Sequence, residues 1–381
     1  MKTPWKISLT ALTLGALVAC SDSREATAPR PLSFSRDSDH GMAGALYVAT
    51  NATSGNAILE FPRAGDGTLG APQSFSTAGT GSGGGLGNQG GVVLTHDGRW
   101  LLVVNALSND VSVFAVQPVG LELTDRVSSG GAQPVSVTAF NRLIYVLNAG
   151  GAGNITGFQL SENGRLRPLR HSTRPLSSAT AGAAEVAFSP DGEVLVVAEK
   201  ATNTISTYLV QENGRVRGPM PQPSVGATPF GFAFSRRGTL VMSEAFGGAP
   251  GASALSSYEV EENGTLEVVS GSVGTTQTAA CWVVITRDGR FAYTTNTGSS
   301  TISGYQLSSH GALTLLVANG VSGSSGAVPI DMALSINDRF LYTLNSGDGT
   351  ISAFRVNADG SLTPQAGAAG LSAGANGLAA R

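Results

Sequence analysis

Charge is scarce in this 381-residue chain: Asp, Glu, Lys and Arg make up 13% of it, and the formal net charge is −3. That balance excludes a nucleic-acid binder that works by neutralising phosphates. Cysteine is nearly absent. Cys20 and Cys281 stand in unlike contexts, so neither a disulfide framework nor a thiolate zinc site is available. Aromatic residues reach only 6%. Beyond residue 20 no apolar run approaches the ~18 residues of a membrane-spanning helix. Glycine, by contrast, is abundant at 51 residues, and it lacks the triplet period of collagen. With 41% hydrophobic residues the chain is too apolar to stay disordered, and it is long enough to bury a large core.

Lys2 and Lys6 precede a short apolar stretch over residues 7–18, and residues 1–20 read as a secretory signal. The stretch ends in Leu17-Val18-Ala19-Cys20, which resembles the lipobox of bacterial lipoproteins. The resemblance implies lipid attachment at Cys20 after cleavage. That places the protein in the cell envelope, outside the cytoplasm, with the lipid as its only membrane contact. Residues 21–42 are polar, carry Pro29 and Pro31, and read as a flexible tether.

Residues 43–381 repeat at the period of propeller blades. One copy runs Phe188-Ser189-Pro190-Asp191-Gly192, Val194-Leu195-Val196-Val197, then Asn203-Thr204-Ile205-Ser206-Thr207-Tyr208. Each copy holds four short β-branched and aromatic runs, separated by Asp-Gly or Asn-Gly turns. The second run begins near Leu46, Leu101, Ile144, Leu195, Leu240, Phe291 and Leu341, which makes seven copies. The pattern predicts an all-β, seven-bladed propeller of four-stranded antiparallel blades. We name the strands of each blade a to d in chain order. The first copy lacks strand a, and a surplus segment over residues 375–380 is predicted to supply it and close the ring.

The Ser189-Pro190-Asp191-Gly192 turn, the Tyr145-Val146-Leu147-Asn148 strand end and the Thr-Ile-Ser c strands resemble the lactonase family of seven-bladed propellers. That family includes 6-phosphogluconolactonase and carboxymuconate cyclase. The resemblance covers about residues 43–381 and implies the fold. Members that open lactones carry Gly-Pro-Arg-His at the start of the fourth blade, where this chain has Gly182-Ala183-Ala184-Glu185. Their Pro-His is Pro134-Val135 here, and their Asn-Arg-Gly is Asn296-Thr297-Gly298. The family's His and Arg set is therefore largely missing.

In a meander the b–c and d–a connections share one face, called the top, and the a–b and c–d turns share the other. The d–a connections are long and rich in Gly and Ser, notably 79–91 and 320–328, and long loops on a rigid scaffold are where sites lie. The arginines fall mainly at the a–b and c–d turns below, while Lys200, Glu185, Glu199, Glu244 and Asp331 belong to the top. Glu199 and Glu244 are candidate bases, with Lys200 as an oxyanion partner. Glu185, Trp282 and Asp331 at the channel mouth, with Asn148 and Asn296 at b-strand ends, are candidate ligand contacts. No cofactor is implied. The glycine run 79–84 and Gly370-Leu371-Ser372-Ala373-Gly374 precede strands, whereas phosphate loops and nucleophile elbows precede helices. No histidine pair or Asp-Gly turn has metal-ligand spacing. Two functions stay open: a lactonase-like hydrolase or cyclase acting on a small cyclic ester or carbohydrate-derived ligand, or a non-catalytic propeller that binds an envelope protein or glycan through its top loops.

Overall fold

The computed structural model describes residues 42–381, and Cys20 and nearly all of the tether read in the sequence lie outside the described residues. The sequence of the fourth repeat shows how each blade forms. Strand a, Ala183–Phe188, pairs antiparallel with strand b, Val194–Glu199. Strand b pairs with strand c, Thr204–Val210, and strand c with strand d, Val216–Pro223. The a–b turn is the Ser-Pro-Asp-Gly motif. Asp191 accepts from Ser189 and from the Glu193 N–H, and Gly192 takes a φ of 79°. Any side chain at Gly192 would overlap the Phe140 ring of the preceding blade, so the glycine serves both the turn and the blade interface.

Seven such sheets are present. In the third and sixth the outermost strand is split into two pieces: Leu166–Pro168 with Arg174–Pro175, and Leu313–Leu315 with Gly323–Ser324. Most b strands are buried along their whole length, as in Trp100–Asn105 and Phe340–Asn345, because neighbouring blades cover both faces. The outer strand Leu121–Ser128 alternates toward solvent instead. Among the described residues no α-helix is present; one short 3-10 turn spans Phe246–Gly248.

The innermost strands touch one another in an unbroken cycle through all seven blades. The first blade takes its strand a from Asn376–Ala380, which pairs with Met42–Ala49 (Leu46 with Ala380, Val48 with Leu378). The Arg381 N–H donates to Ala45 O and extends the seam. The predicted closure is thus present, and no blade has an open inner edge.

Candidate functional site

The central channel is built from the a strands, which twist too much to pair with one another. Their inward N–H groups need other acceptors. In three blades one register position supplies them. The Val186 N–H donates to Ser136 Oγ of the preceding blade at 3.2 Å, the Phe232 N–H to Glu185 Oε2 at 2.6 Å, and the Leu378 N–H to Asp331 Oδ2 at 3.0 Å. Ser136, Glu185 and Asp331 all sit one place inside the a–b pair that ends the strand. In the fifth blade the same position is Gly231, which has no side chain to offer.

Gln89 fills that gap from another part of the chain. Its Oε1 accepts the Val283 N–H at 2.9 Å, and its Nε2 donates to Val283 O at 2.9 Å and Phe232 O at 3.2 Å. A side chain at Gly231 would overlap Gln89 Oε1 and the Cys281 carbonyl, so the glycine makes the slot that Gln89 enters. Gln89 ends the long linker from the first blade to the second. The linker is fixed on both sides of it: the Gln89 N–H donates to Ala184 O, and Gly90 O accepts the Val137 N–H. Asn88 Nδ2 donates to Val135 O, Trp282 Nε1 donates to Asn88 O at 2.7 Å, and Lys200 Nζ donates to Gly87 O. Lys200 also lies over the Phe230 ring at 4.8 Å, and Phe230 packs on Trp282 at 4.9 Å. The linker is a stopper in the upper channel.

Burial sets the charge states around it. Glu185 is 5% exposed and Asp331 3%. Desolvation drives both carboxyls well above their ordinary range, and the nearby Asp331 raises Glu185 further. Burial lowers Lys200 and pushes the Cys281 thiol up to about 11, beyond what nearby Thr297 and Lys200 offset. Among the described residues no group of three or more His, Cys, Asp or Glu side chains can hold a metal ion.

The structure places the sequence-predicted residues in two groups. Glu185, Trp282, Asp331 and Lys200 surround the channel and stopper, and Trp282 gives its indole N–H to the stopper. Glu199, Glu244, Asn148 and Asn296 are fully buried inside their own blades, at the ends of b strands. There they act as clamps. Asn296 Nδ2 donates to Thr301 and to Ser303 Oγ, and Asn148 Nδ2 to Asn154 Oδ1 and Ser129 O. Glu199 is the acceptor version: it takes the Ser206 hydroxyl at 2.8 Å and both the N–H and hydroxyl of Ser177. Glu244 takes the Gly226 N–H, Ser256 and Ser272. Each carboxylate binds the incoming linker to its blade, and the two share no hydrogen-bonding partner.

Sequence reasoning missed Gln89, Asn88, Gly231 and Phe230. The length of the 79–91 connection was the available signal, but nothing in it told which residue turns inward.

Below the stopper the channel opens. A cavity of about 390 Å³ reaches from Gln89 and Glu185 down to Arg287. It shares Phe234, Ile285 and Arg287 with a wider vestibule of about 700 Å³ on the arginine-bearing face.

These features define a seven-bladed propeller whose channel is closed above and open below. The chain belongs to the lactonase family of seven-bladed β-propellers, whose model matches residues 4–175, 140–247 and 254–373. No functionally curated protein matches it. A protein of Lactobacillus plantarum is similar at 16% identity and a TM-score of 0.72, over 89% of this chain and 99% of that one. The periplasmic gluconolactonase PpgL of Pseudomonas aeruginosa is similar at 18% identity and a TM-score of 0.68, over 86% and 97%. A Bacteroides fragilis protein provisionally named 6-phosphogluconolactonase is similar at 17% identity and a TM-score of 0.68, over 89% and 98%. At these identities the likeness is one of fold.

Proposed function

We propose that the protein is a lactonase-family propeller that binds a partner and does not open lactones. One observation carries this reading: the chain's own Gln89 fills the upper channel beside Glu185 and Trp282. Around it, the positions where lactone-opening members carry His and Arg hold Ala184, Glu185, Val135 and Thr297. Glu199 and Glu244, the nominated bases, have their oxygens engaged by blade donors. A lipid on Cys20 holds the ring at a membrane surface outside the cytoplasm. Residues 87–91 are committed to the channel, so the top face presents residues 82–85 and its other loops. Leu107, Val225 and Val328 are exposed there on separate blades, and the partner is an envelope protein or glycan.

A second reading is lactone opening, the activity in the names of the Pseudomonas and Bacteroides proteins. The buried Glu185 carboxyl favours it, since desolvation raises its proton affinity toward that of a general acid for a leaving alkoxide, while Lys200 would face the oxyanion. The test assays purified protein on gluconolactone, 6-phosphogluconolactone and a neutral γ-lactone, beside Glu185→Gln, Glu199→Gln and Glu244→Gln. The binding reading expects spontaneous rates throughout. Turnover by the wild type that falls in Glu185→Gln overturns it in favour of the second. Detergent-phase partitioning that is unchanged by Cys20→Ser would remove the lipid anchor.

A further inference from the structure

We propose that the lower vestibule of the channel is a binding site for a small organic monocarboxylate with an aryl or short acyl body, its carboxylate on Arg236 and Arg287 and its body on Phe140, Phe188 and Phe234.

The vestibule joins two features that rarely meet by chance on a propeller surface. Its wall is aromatic: Phe140 and Phe188 pack at 5.9 Å with their planes tilted 46°, and Phe234 of the next blade packs against Phe232 at 6.1 Å. Its rim is cationic. The a–b turns carry seven arginines. Four are engaged within their own or an adjoining turn. Arg99, Arg290 and Arg339 stack on Trp100, Phe291 and Phe340, and Arg142 binds Leu160 O and Glu162. Arg236 and Arg287 line the vestibule, and neither guanidinium makes a hydrogen bond or an ion pair among the described residues; the seventh, Arg237, lies outside the vestibule lining. A planar guanidinium beside an apolar wall suits a carboxylate with an apolar body.

The acids nearby do not cancel this charge. Asp97, Asp191 and Asp288 each cap their own turn. Asp338 lies within electrostatic range of both arginines and accepts the Arg287 N–H at 2.7 Å. The lining of the vestibule itself holds no carboxylate, and its charged side chains are Arg236 and Arg287. The channel also orients the ligand. Upward it narrows to the 390 Å³ cavity beneath Gln89, lined by Phe232, Val283 and Val284, where an anion meets no cation above Arg287. The carboxylate therefore stays at the rim and the body points up against the rings. Ser189, Ser235, Thr286 and His96 complete the lining and leave room for one polar substituent.

This site lies on the face opposite the top loops and is independent of whether lactones are opened. The experiment is calorimetric titration of the full mature chain with 3-phenylpropionate, 3-phenylpropionamide and inorganic phosphate. Two double variants are compared: Arg236→Gln with Arg287→Gln in the vestibule, and Arg165→Gln with Arg167→Gln, which removes the same charge at c–d turns of the same face. Phenylpropionate is expected to bind at one site with a sub-millimolar Kd. The amide and the vestibule variant should each weaken it about tenfold or more. The c–d variant should change it by less than about twofold, as screening at this distance requires. No binding, equal loss in both variants, or phosphate binding as tightly as phenylpropionate would each overturn the proposal.

Discussion

Replacing Gln89 by alanine removes the stopper without touching any blade. The side chain makes three hydrogen bonds, at 2.9, 2.9 and 3.2 Å. The decisive loss is the Val283 N–H, which has no ladder partner on that side and is left without an acceptor. An orphaned buried donor costs about 1–3 kcal/mol, and the two carbonyls add less because each keeps a second lone pair. Water entering from the lower cavity, which reaches Gln89, offsets part of this. The net loss is then about 2–4 kcal/mol. For the roughly 340 described residues, at about 2.1 cal/mol/K of unfolding entropy each, that is a fall in Tm of about 3–6 °C. Differential scanning calorimetry measures it. Gln89→Glu is the control. It keeps the size but sets an acceptor against the Phe232 and Val283 carbonyls and a charge beside Glu185, so near neutral pH it should fall at least as far as alanine. A Gln89→Ala protein within 1 °C of wild type would refute the reasoning.

Two further outcomes follow from burial. Cys281 is 7% exposed with its thiol pushed up to about 11, so Ellman's reagent at pH 8 should label it in denaturant and leave it unlabelled in the folded protein. Glu185 is raised well above 4.5, so the folded state holds its proton at pH values where the unfolded chain has released it. Its contribution is full below about pH 4.5 and is lost as pH rises toward the folded value. Urea titrations from pH 4 to pH 8 should therefore show a shallower decline for Glu185→Gln than for wild type, and parallel declines would contradict the assignment.

The blades were legible because each repeats one local solution seven times. The Asp-Gly turns, the apolar b strands and the Thr-Ile-Ser c strands are short-range signals, and the unpaired segment at residues 375–380 followed from counting strands. The site was harder. Glu199 and Glu244 looked like departures from a ring of asparagines. The clamp they serve becomes visible only when Ser206 and Ser256 are seen turning their hydroxyls toward a carboxylate. Glu185, Trp282 and Asp331 lie on a strands, where their position in the repeat puts them. Gln89 was illegible because its role depends on Gly231, which is 142 positions away in the chain and identifiable only by the side chain it lacks.

Hydrogen–deuterium exchange over residues 85–91 tests the stopper most directly. Five backbone and side-chain anchors hold residues 87–90 to three blades, and the Gln89 side chain adds a fourth, so the Gln89 amide, which donates to Ala184 O, should exchange as slowly as those of the a strand Ala280–Ile285. Exchange as fast as in the exposed top loop at residues 247–252 would mean that the channel stands open from above, and the account would fail.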